Sequence, residues 1–280
     1  MIQYAPPVLS GLLIWWFSTG LILFLDGLPR HTFRYSMASA TLLLIAALYG
    51  LASSAGDTSA TGAYTAFTCA VLIWGWLEIS FYMGYVTGPR TRHCHHGCHG
   101  WRHFGHAIQA SLYHEIAVLI LAAAVLRLTW GSPNQFGVWT FVTLWWMHQS
   151  ARLNVFLGVS NLNAEFLPEH LSHLRSFFRG APMNMLFPFS VTLSTIAAIL
   201  LAQQALADPA NTVRCIGYTL VTTMMVLAIL EHWFLVLPLP AARVWNRLWQ
   251  WSLGSRGTGT RLPRHKQSPL PKQATIGGHP

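Results

Sequence analysis

The stretch VRCIGYTLVTTMMVLAILEHWFLVL, residues 213 to 237, is long and apolar enough to cross a lipid bilayer as one helix. A spanning helix needs about 20 mostly apolar residues, because its backbone polar groups find no water in the hydrocarbon and must bond to one another. Glu231 and His232 stand inside this stretch. Titratable side chains in such a segment are costly unless they are paired or face a cavity. The stretch therefore predicts a membrane helix that has polar partners within a bundle.

The rest of the chain has the same character. Of its 280 residues, 53% are hydrophobic and 9% are charged, with a mean hydropathy of +0.41, whereas soluble domains carry about 25% charged residues. We therefore predict an all-α, polytopic transmembrane helix bundle with about seven spans. The predicted spans are residues 6–25, 36–54, 62–87, 107–130, 136–158, 183–206 and 213–237.

The basic residues predict the orientation of this bundle. Most of the 17 Lys and Arg residues follow the first, third, fifth or seventh span, as Arg30, Arg90 and Arg175 do. Short cytoplasmic loops carry the positive excess, so we expect the N-terminus outside and the C-terminus in the cytoplasm. No cleavable signal is expected, because the first basic residue follows the first apolar stretch. The net charge of +9 is then an orientation signal that also attracts anionic lipid, and we expect no nucleic-acid partner.

Two domains follow from the composition. Residues 1–251 form the predicted bundle, including a cytoplasmic loop rich in His and Cys at 90–106 and an interfacial helix at about 168–179. From residue 252 to 280 the chain changes to Gly, Pro, Ser, Thr and basic residues. That composition buries too little apolar surface to order itself, so we predict a disordered basic cytoplasmic tail.

Polar residues in four of the predicted spans fall at a shared depth. At a rise of about 1.5 Å per residue they lie in one layer of the cytoplasmic half of the membrane. Such a layer has three interpretations: a ligand pocket, a proton relay, or a structural clamp between helices. The candidate binding residues of this layer are Glu78, His114, Glu115, His148, Arg152, Glu231 and His232.

The loop RHCHHGCHGWRHFGH, residues 92 to 106, offers a second candidate site. Thiolate and imidazole are ligands that zinc and copper accept, so adventitious or regulatory binding of Zn or Cu is one interpretation. A solvated basic loop is the other main interpretation, because the Cys94-x3-Cys98 spacing has no second pair elsewhere. The candidate metal ligands are Cys94, Cys98, His95, His96 and His99.

The segment after the fifth span predicts a short amphipathic helix along the cytoplasmic surface. Pro168 suits a first helical turn and Gly180 a position just past the end. Leu171, Leu174 and Phe178 recur on one face. The helix is interpreted either as a plain connector or as a docking surface for a partner membrane protein.

Several strings in the sequence resemble the photosynthetic complex assembly protein family. They are WWFSTG (15–20), DGLPR (26–30), GAYTAFTCAVLIWGWLE (62–78), NVFLGV (154–159), NLNAEFLPEHL (161–171) and EHWFLVLPLP (231–240). Members of that family are inner-membrane proteins of anoxygenic phototrophic bacteria, encoded near the reaction-centre H subunit. The resemblance covers residues 8 to 240, and neither the loop at 93–106 nor the tail belongs to it.

The resemblance implies a multi-pass protein of the inner or intracytoplasmic photosynthetic membrane that assists assembly of the reaction centre and light-harvesting antenna. Its implied partners are reaction-centre or light-harvesting subunits and other assembly proteins, and no catalytic residues are carried over. A transiently held bacteriochlorophyll is a further hypothesis, with His114, His148 or His232 as axial ligand, since neutral imidazole ligates tetrapyrrole metals. The alternatives are a metal- or haem-dependent membrane enzyme and a proton-coupled transporter that use the same Glu and His layer.

Overall fold

Seven long helices make up most of the chain that the computed structural model describes, residues 2–95, 97–162 and 167–237. Three short 3₁₀ helices, Ile2–Tyr4, Arg30–Thr32 and Glu169–Phe177, accompany them. The long helices are α1 (Ala5–Asp26), α2 (Phe33–Ser54), α3 (Ala60–Tyr82), α4 (Gly100–Thr129), α5 (Phe136–Leu157), α6 (Leu186–Ala207) and α7 (Thr212–Val236).

Local sequence signals account for where these helices begin. Helix α1 starts with prolines, which lack the N–H that a first turn leaves unpaired. The Ser59 hydroxyl accepts from the backbone N–H of Gly62 at 3.2 Å and begins α3, and the Asn211 side chain accepts from the N–H of Arg214 and begins α7. These caps satisfy backbone donors that no helical carbonyl reaches.

The all-helical class is confirmed, and the described residues contain six helices that are long and apolar enough to cross a membrane. Helix α5 is not among these six, because it carries His148, Gln149, Arg152 and Asn154. Apart from α5, every predicted span coincides with one of the six helices. These helices indicate a multi-pass membrane protein.

Helices α3, α5 and α7 form the centre of the bundle and contact one another. In the most apolar 18-residue stretches of α3 and α7, 56% and 61% of the residues are buried, whereas 6% are buried in that of α1. Close packing at the centre depends on a missing side chain at Gly217, where a Cβ atom would lie 2.3 Å from the Phe136 ring. Helices α1, α2, α4 and α6 surround this centre and expose apolar side chains.

Two boundaries differ from the prediction. Helix α3 ends at Tyr82 rather than at residue 87, because Gly84 adopts a φ of +81° that turns the chain out of the helix. Helix α4 begins at Gly100 rather than at residue 107. The second half of the predicted 90–106 loop is therefore helical, and His103 and His106 project from the first turns of α4.

The predicted interfacial helix at 168–179 is a 3₁₀ helix, Glu169–Phe177, and its apolar face packs against the protein itself. Leu171, Leu174 and Phe177 are buried together with Ala110 of α4. The His170 ring contacts the Tyr82 carbonyl at 2.8 Å through Nε2, at the end of α3. We call Glu169–Phe177 the cap segment, because it covers the ends of α3, α4 and α5. The predicted tail, 252–280, and the domain boundary at 251 lie outside the described residues.

Candidate functional site

Three titratable side chains from three helices converge inside the bundle. Glu78 comes from α3, His114 from α4 and His148 from α5, and one nitrogen or oxygen atom of each lies within 4.8 Å of the others. His148 Nδ1 lies 3.2 Å from Glu78 Oε1, and the two ring centroids of His114 and His148 are 5.7 Å apart. His114 is fully buried, whereas the side chains of Glu78 and His148 are 14% and 24% exposed. Because the three lie within the bundle, we call them the buried triad.

His114 is the member of the buried triad whose two ring nitrogens both lack a hydrogen bond among the described residues. It is 1% exposed, yet neither Nδ1 nor Nε2 has a hydrogen-bond partner among the residues that the structure describes. The rings of Phe81 and His148 lie beside it, at centroid distances of 4.9 and 5.7 Å, and ring packing satisfies neither nitrogen. Leaving a buried polar group unpaired costs about 1 to 3 kcal/mol. Both nitrogens are thus available for a group that can bond to them.

One oxygen of the Glu78 carboxylate likewise has no hydrogen bond. This oxygen, Oε1, is buried and, within residues 2–95, 97–162 and 167–237, has no partner that meets hydrogen-bond geometry. The 3.2 Å approach of His148 Nδ1 is therefore close in distance but poorly directed for a hydrogen bond. His148 is in turn held by the Trp74 ring at a centroid distance of 5.3 Å.

A second polar group, between α4 and α5, neutralises the remaining charges of this layer. Arg152 forms an ion pair with Glu115 and also donates to the Ser111 hydroxyl. Gln149 donates to the other carboxylate oxygen of Glu115. Because the guanidinium and an amide each donate to a different oxygen of one carboxylate, both charges are compensated without the buried triad. We call Ser111, Glu115, Gln149 and Arg152 the ion-pair network.

The two predicted site residues of α7 lie apart from the buried triad and from each other. His232 is 1% exposed, and its ring nitrogens contact the Ala228 carbonyl at 2.8 Å and the Ser150 hydroxyl at 2.9 Å. Glu231 lies on the outside of α7, where it accepts from Trp15 Nε1 at 3.1 Å. Successive residues on a helix point about 100° apart, so the predicted single layer divides into separate groups.

The loop before α4 brings thiols and imidazoles together, with a different set of His residues from the one predicted. His106 Nδ1 lies 3.4 Å from both Cys94 Sγ and Cys98 Sγ. His103 Nδ1 lies 3.3 Å from Cys94 Sγ, and its ring stacks on Phe156 at a centroid distance of 5.4 Å. We call Cys94, Cys98, His103 and His106 the thiol cluster.

The other predicted ligands of this loop stay outside the thiol cluster. His95 and His99 are exposed, and His99 Nδ1 lies 2.7 Å from the Gly97 carbonyl. His96 lies outside the described residues. Partial burial and the neighbouring Cys98 thiol raise the pKa of Cys94, so without a bound cation this thiol stays protonated at neutral pH.

Helical spacing contains the signals for the residues that sequence reasoning missed. Ser111 precedes Glu115 by four positions, and His99, His103 and His106 follow one another at spacings of four and three. Such spacings place side chains on one helix face. Gln149 and Ser150 gave no separate signal, because polar residues next to His148 look like part of the same polar patch.

Comparison with known proteins gives a consistent family match. The model of the family described as "Protein of unknown function (DUF3623)" matches residues 1–260. A relative from Rhodobacter capsulatus, named "Uncharacterized 30.4 kDa protein in puhA 5'region", is 42% identical over 253 residues, covering 88% of this chain and 90% of the relative. No solved structure matches the chain.

Proposed function

The chain belongs to the DUF3623 family, and from that membership we propose that it is a membrane-embedded assembly factor for the bacterial photosynthetic apparatus. The observation that carries the proposal is the place of the relative's gene in the 5' region of puhA, the gene of the reaction-centre H subunit. A 42% identity over most of both chains supports a shared role. The all-helical, apolar architecture supports action within the membrane.

The proposed topology has seven spans, with the N-terminus outside and the C-terminus in the cytoplasm of the inner or intracytoplasmic membrane. The basic residues of the α1–α2, α3–α4 and α5–α6 connections support this orientation. Helix α5 spans despite its polar residues, because they contact partners on α3, α4, α6 and α7. In this orientation the cap segment and the thiol cluster face the cytoplasm.

Reaction-centre or light-harvesting subunits are the proposed partners. The outer helices support this choice, since α1 exposes Leu13, Phe17 and Phe24 along one side. Apolar helix surfaces of this kind pack against lipid or against the helices of another membrane protein. Assembly of membrane complexes requires such transient helix contacts, and no soluble partner is invoked.

The fit of the buried His residues to a bacteriochlorophyll bears on how the factor acts. His232 has both ring nitrogens engaged, and the donor atoms of the buried triad lie within 4.8 Å of one another. That spacing suits one small ion shared by the three side chains. We therefore propose no pigment-dependent step at the buried triad. Pigment ligation by His114, His148 or His232 stays a prediction that pigment content of the purified protein tests.

Near-infrared absorption of membranes from a deletion strain tests the proposed function. We expect reduced reaction-centre or antenna bands, restored by the wild-type gene, while extracted bacteriochlorophyll keeps its normal chemical identity. An unchanged spectrum under several growth conditions would overturn the assembly role. Accumulation of an altered pigment would instead favour a membrane enzyme.

A further inference from the structure

We propose that Glu78, His114 and His148 bind one divalent transition-metal ion inside the helix bundle. Two imidazoles and one carboxylate form a ligand set that zinc and iron(II) sites use, and such a set leaves further coordination positions open. The three residues come from three different helices, α3, α4 and α5. An ion at this position would therefore also tie these helices together.

The distance between Glu78 and His148 matches that between two ligands of a shared ion, and the donor atoms of all three residues lie within 4.8 Å of one another. Bonds of about 2.0 to 2.2 Å that meet at about 90 to 110° place donor atoms about 3 to 3.5 Å apart. The Glu78 Oε1 to His148 Nδ1 distance is 3.2 Å, and its direction is wrong for a hydrogen bond. Donor atoms that point past each other toward a common centre produce this combination of short distance and poor hydrogen-bond angle.

The unpartnered nitrogens of His114 are an independent observation. A neutral imidazole that is 1% exposed would ordinarily donate one hydrogen bond and accept another. Neither bond exists among the described residues, whereas His232, equally buried on α7, makes both. A metal ion would take the lone pair of one His114 nitrogen and so remove the unsatisfied acceptor.

Residues of the ion-pair network lie next to the two histidines of the buried triad in the sequence. Glu115 follows His114 directly on α4, and Gln149 follows His148 on α5. Their mutual bonds fix α4 against α5, which fixes the backbones that carry the two imidazoles. Because Arg152 is already paired with Glu115, the Glu78 carboxylate is left to balance the charge of the ion.

This proposal does not depend on the assembly function, because metal binding is measured on purified protein without phototrophic growth. The full chain with Cys94→Ser and Cys98→Ser, which removes the thiol cluster, is purified in detergent, stripped with a chelator and titrated with Co²⁺. We expect visible d–d absorption that saturates at one equivalent. Glu78→Gln and His148→Asn should each weaken Co²⁺ binding at least tenfold.

Two further variants keep the test independent of folding. Glu231→Gln changes a carboxylate in the same half of the bundle but outside the buried triad, and it should bind Co²⁺ normally. His114→Leu should raise the melting temperature of the metal-free protein, because it removes two unsatisfied nitrogens, and should still lose the Co²⁺ spectrum. Absence of a saturable spectrum in folded protein, or normal binding by Glu78→Gln, would overturn the proposal.

A different observation carries a second proposal: we infer that the thiol cluster binds Zn²⁺. In a tetrahedral site with Zn–S about 2.3 Å and Zn–N about 2.0 Å, sulfur and nitrogen ligands lie about 3.5 Å apart. His106 Nδ1 lies 3.4 Å from each of the two thiols. Cys94, Cys98 and His106 provide three ligands whose donor atoms lie within 4.8 Å of one another, and the His103 ring lies beside them, with Nδ1 3.3 Å from Cys94 Sγ.

The loop itself provides the matched control for the zinc proposal. Zn²⁺ is titrated into the stripped Glu78→Gln chain in competition with a chromophoric chelator. His106→Asn and Cys98→Ser should lower the affinity at least tenfold, whereas His99→Asn, an exposed imidazole of the same loop, should leave it unchanged. Equal losses in His99→Asn and His106→Asn would indicate adventitious binding by an imidazole-rich loop and would overturn the site.

Discussion

At the scale of single residues, Arg152 and Glu115 form an ion pair between α4 and α5. Their side chains are 33% and 26% exposed, and each is also hydrogen-bonded by Ser111 or Gln149. Arg152→Met should lower stability by about 1 to 2 kcal/mol, because it leaves the Glu115 carboxylate inside the bundle without its cation. Thermal unfolding in detergent measures the loss.

A control and a double variant locate the cause of that loss. Arg214→Met removes an exposed guanidinium that donates to Gln204, and it should change stability little. Glu115→Gln combined with Arg152→Met should cost less than the sum of the two single changes. Additive losses would show that the two charges do not interact.

Most residues of the buried site could be predicted from the sequence. The contacts that these residues make with one another could not. Glu78, His114 and His148 stood out because charged groups are rare inside membrane helices. Which of these side chains meet depends on how each helix is rotated about its own axis. When most faces of a helix are apolar, the sequence gives little indication of which face points toward the bundle centre. Glu231 and His232 illustrate the limit, since adjacent residues face opposite surroundings.

At the scale of elements, the contact between α5 and α7 depends on Gly217. A Cβ at this position would lie 2.3 Å from the Phe136 ring, which is itself 7% exposed. Gly217→Ala should therefore destabilise the protein by about 1 to 3 kcal/mol through overpacking. Gly75→Ala is the matched control, because nothing lies within 4 Å of its Cβ position on α3. Equal melting temperatures for both variants would contradict the close packing.

The cap segment should respond to pH through His173. This ring is 5% exposed, and burial lowers its pKa below the ordinary histidine value of 6.5. The His93 and His170 side chains lower the pKa further, and a hydrogen bond with the His170 backbone opposes the shift. The undocked segment binds the extra proton, so docking is fully stable above about pH 6.5 and weakens as the pH falls below it.

Hydrogen exchange measures this effect. Protection factors of the cap segment should be lower at about pH 5.5 than at about pH 7.5, and His173→Asn should reduce the difference. His31→Asn, at an exposed position on the α1–α2 connection, should leave the difference intact. A cap segment equally protected at both pH values would contradict the assignment.

The elements themselves were predictable because the bilayer sets their length. Each predicted span coincides with a helix, while the ends at residues 82 and 100 required knowledge of Gly84 and of how the first turns of α4 pack. The cap segment was predicted as a surface helix, since its Leu and Phe stripe suits a membrane surface as well as a protein groove. Its burial follows from tertiary contacts that periodicity does not contain.

At the scale of the whole molecule, the proposed topology predicts which connections face each side of the membrane. Reporter fusions after residues 57, 134 and 208 should report the outside, and fusions after residues 90 and 180 the cytoplasm. Residues 134 and 180 flank α5, the helix whose composition is least apolar. The same side for both would show that α5 does not span and that the bundle has six spans.

We propose that the assembly role of the protein requires Glu78 of the buried triad. The most direct measurement is the near-infrared spectrum of membranes from the deletion strain complemented with the Glu78→Gln variant, beside strains carrying wild type and Gly75→Ala, at equal protein levels by immunoblot. We expect wild type and Gly75→Ala to restore the reaction-centre and antenna bands. Glu78→Gln should restore these bands only in part or not at all. Full restoration by Glu78→Gln would contradict the claim.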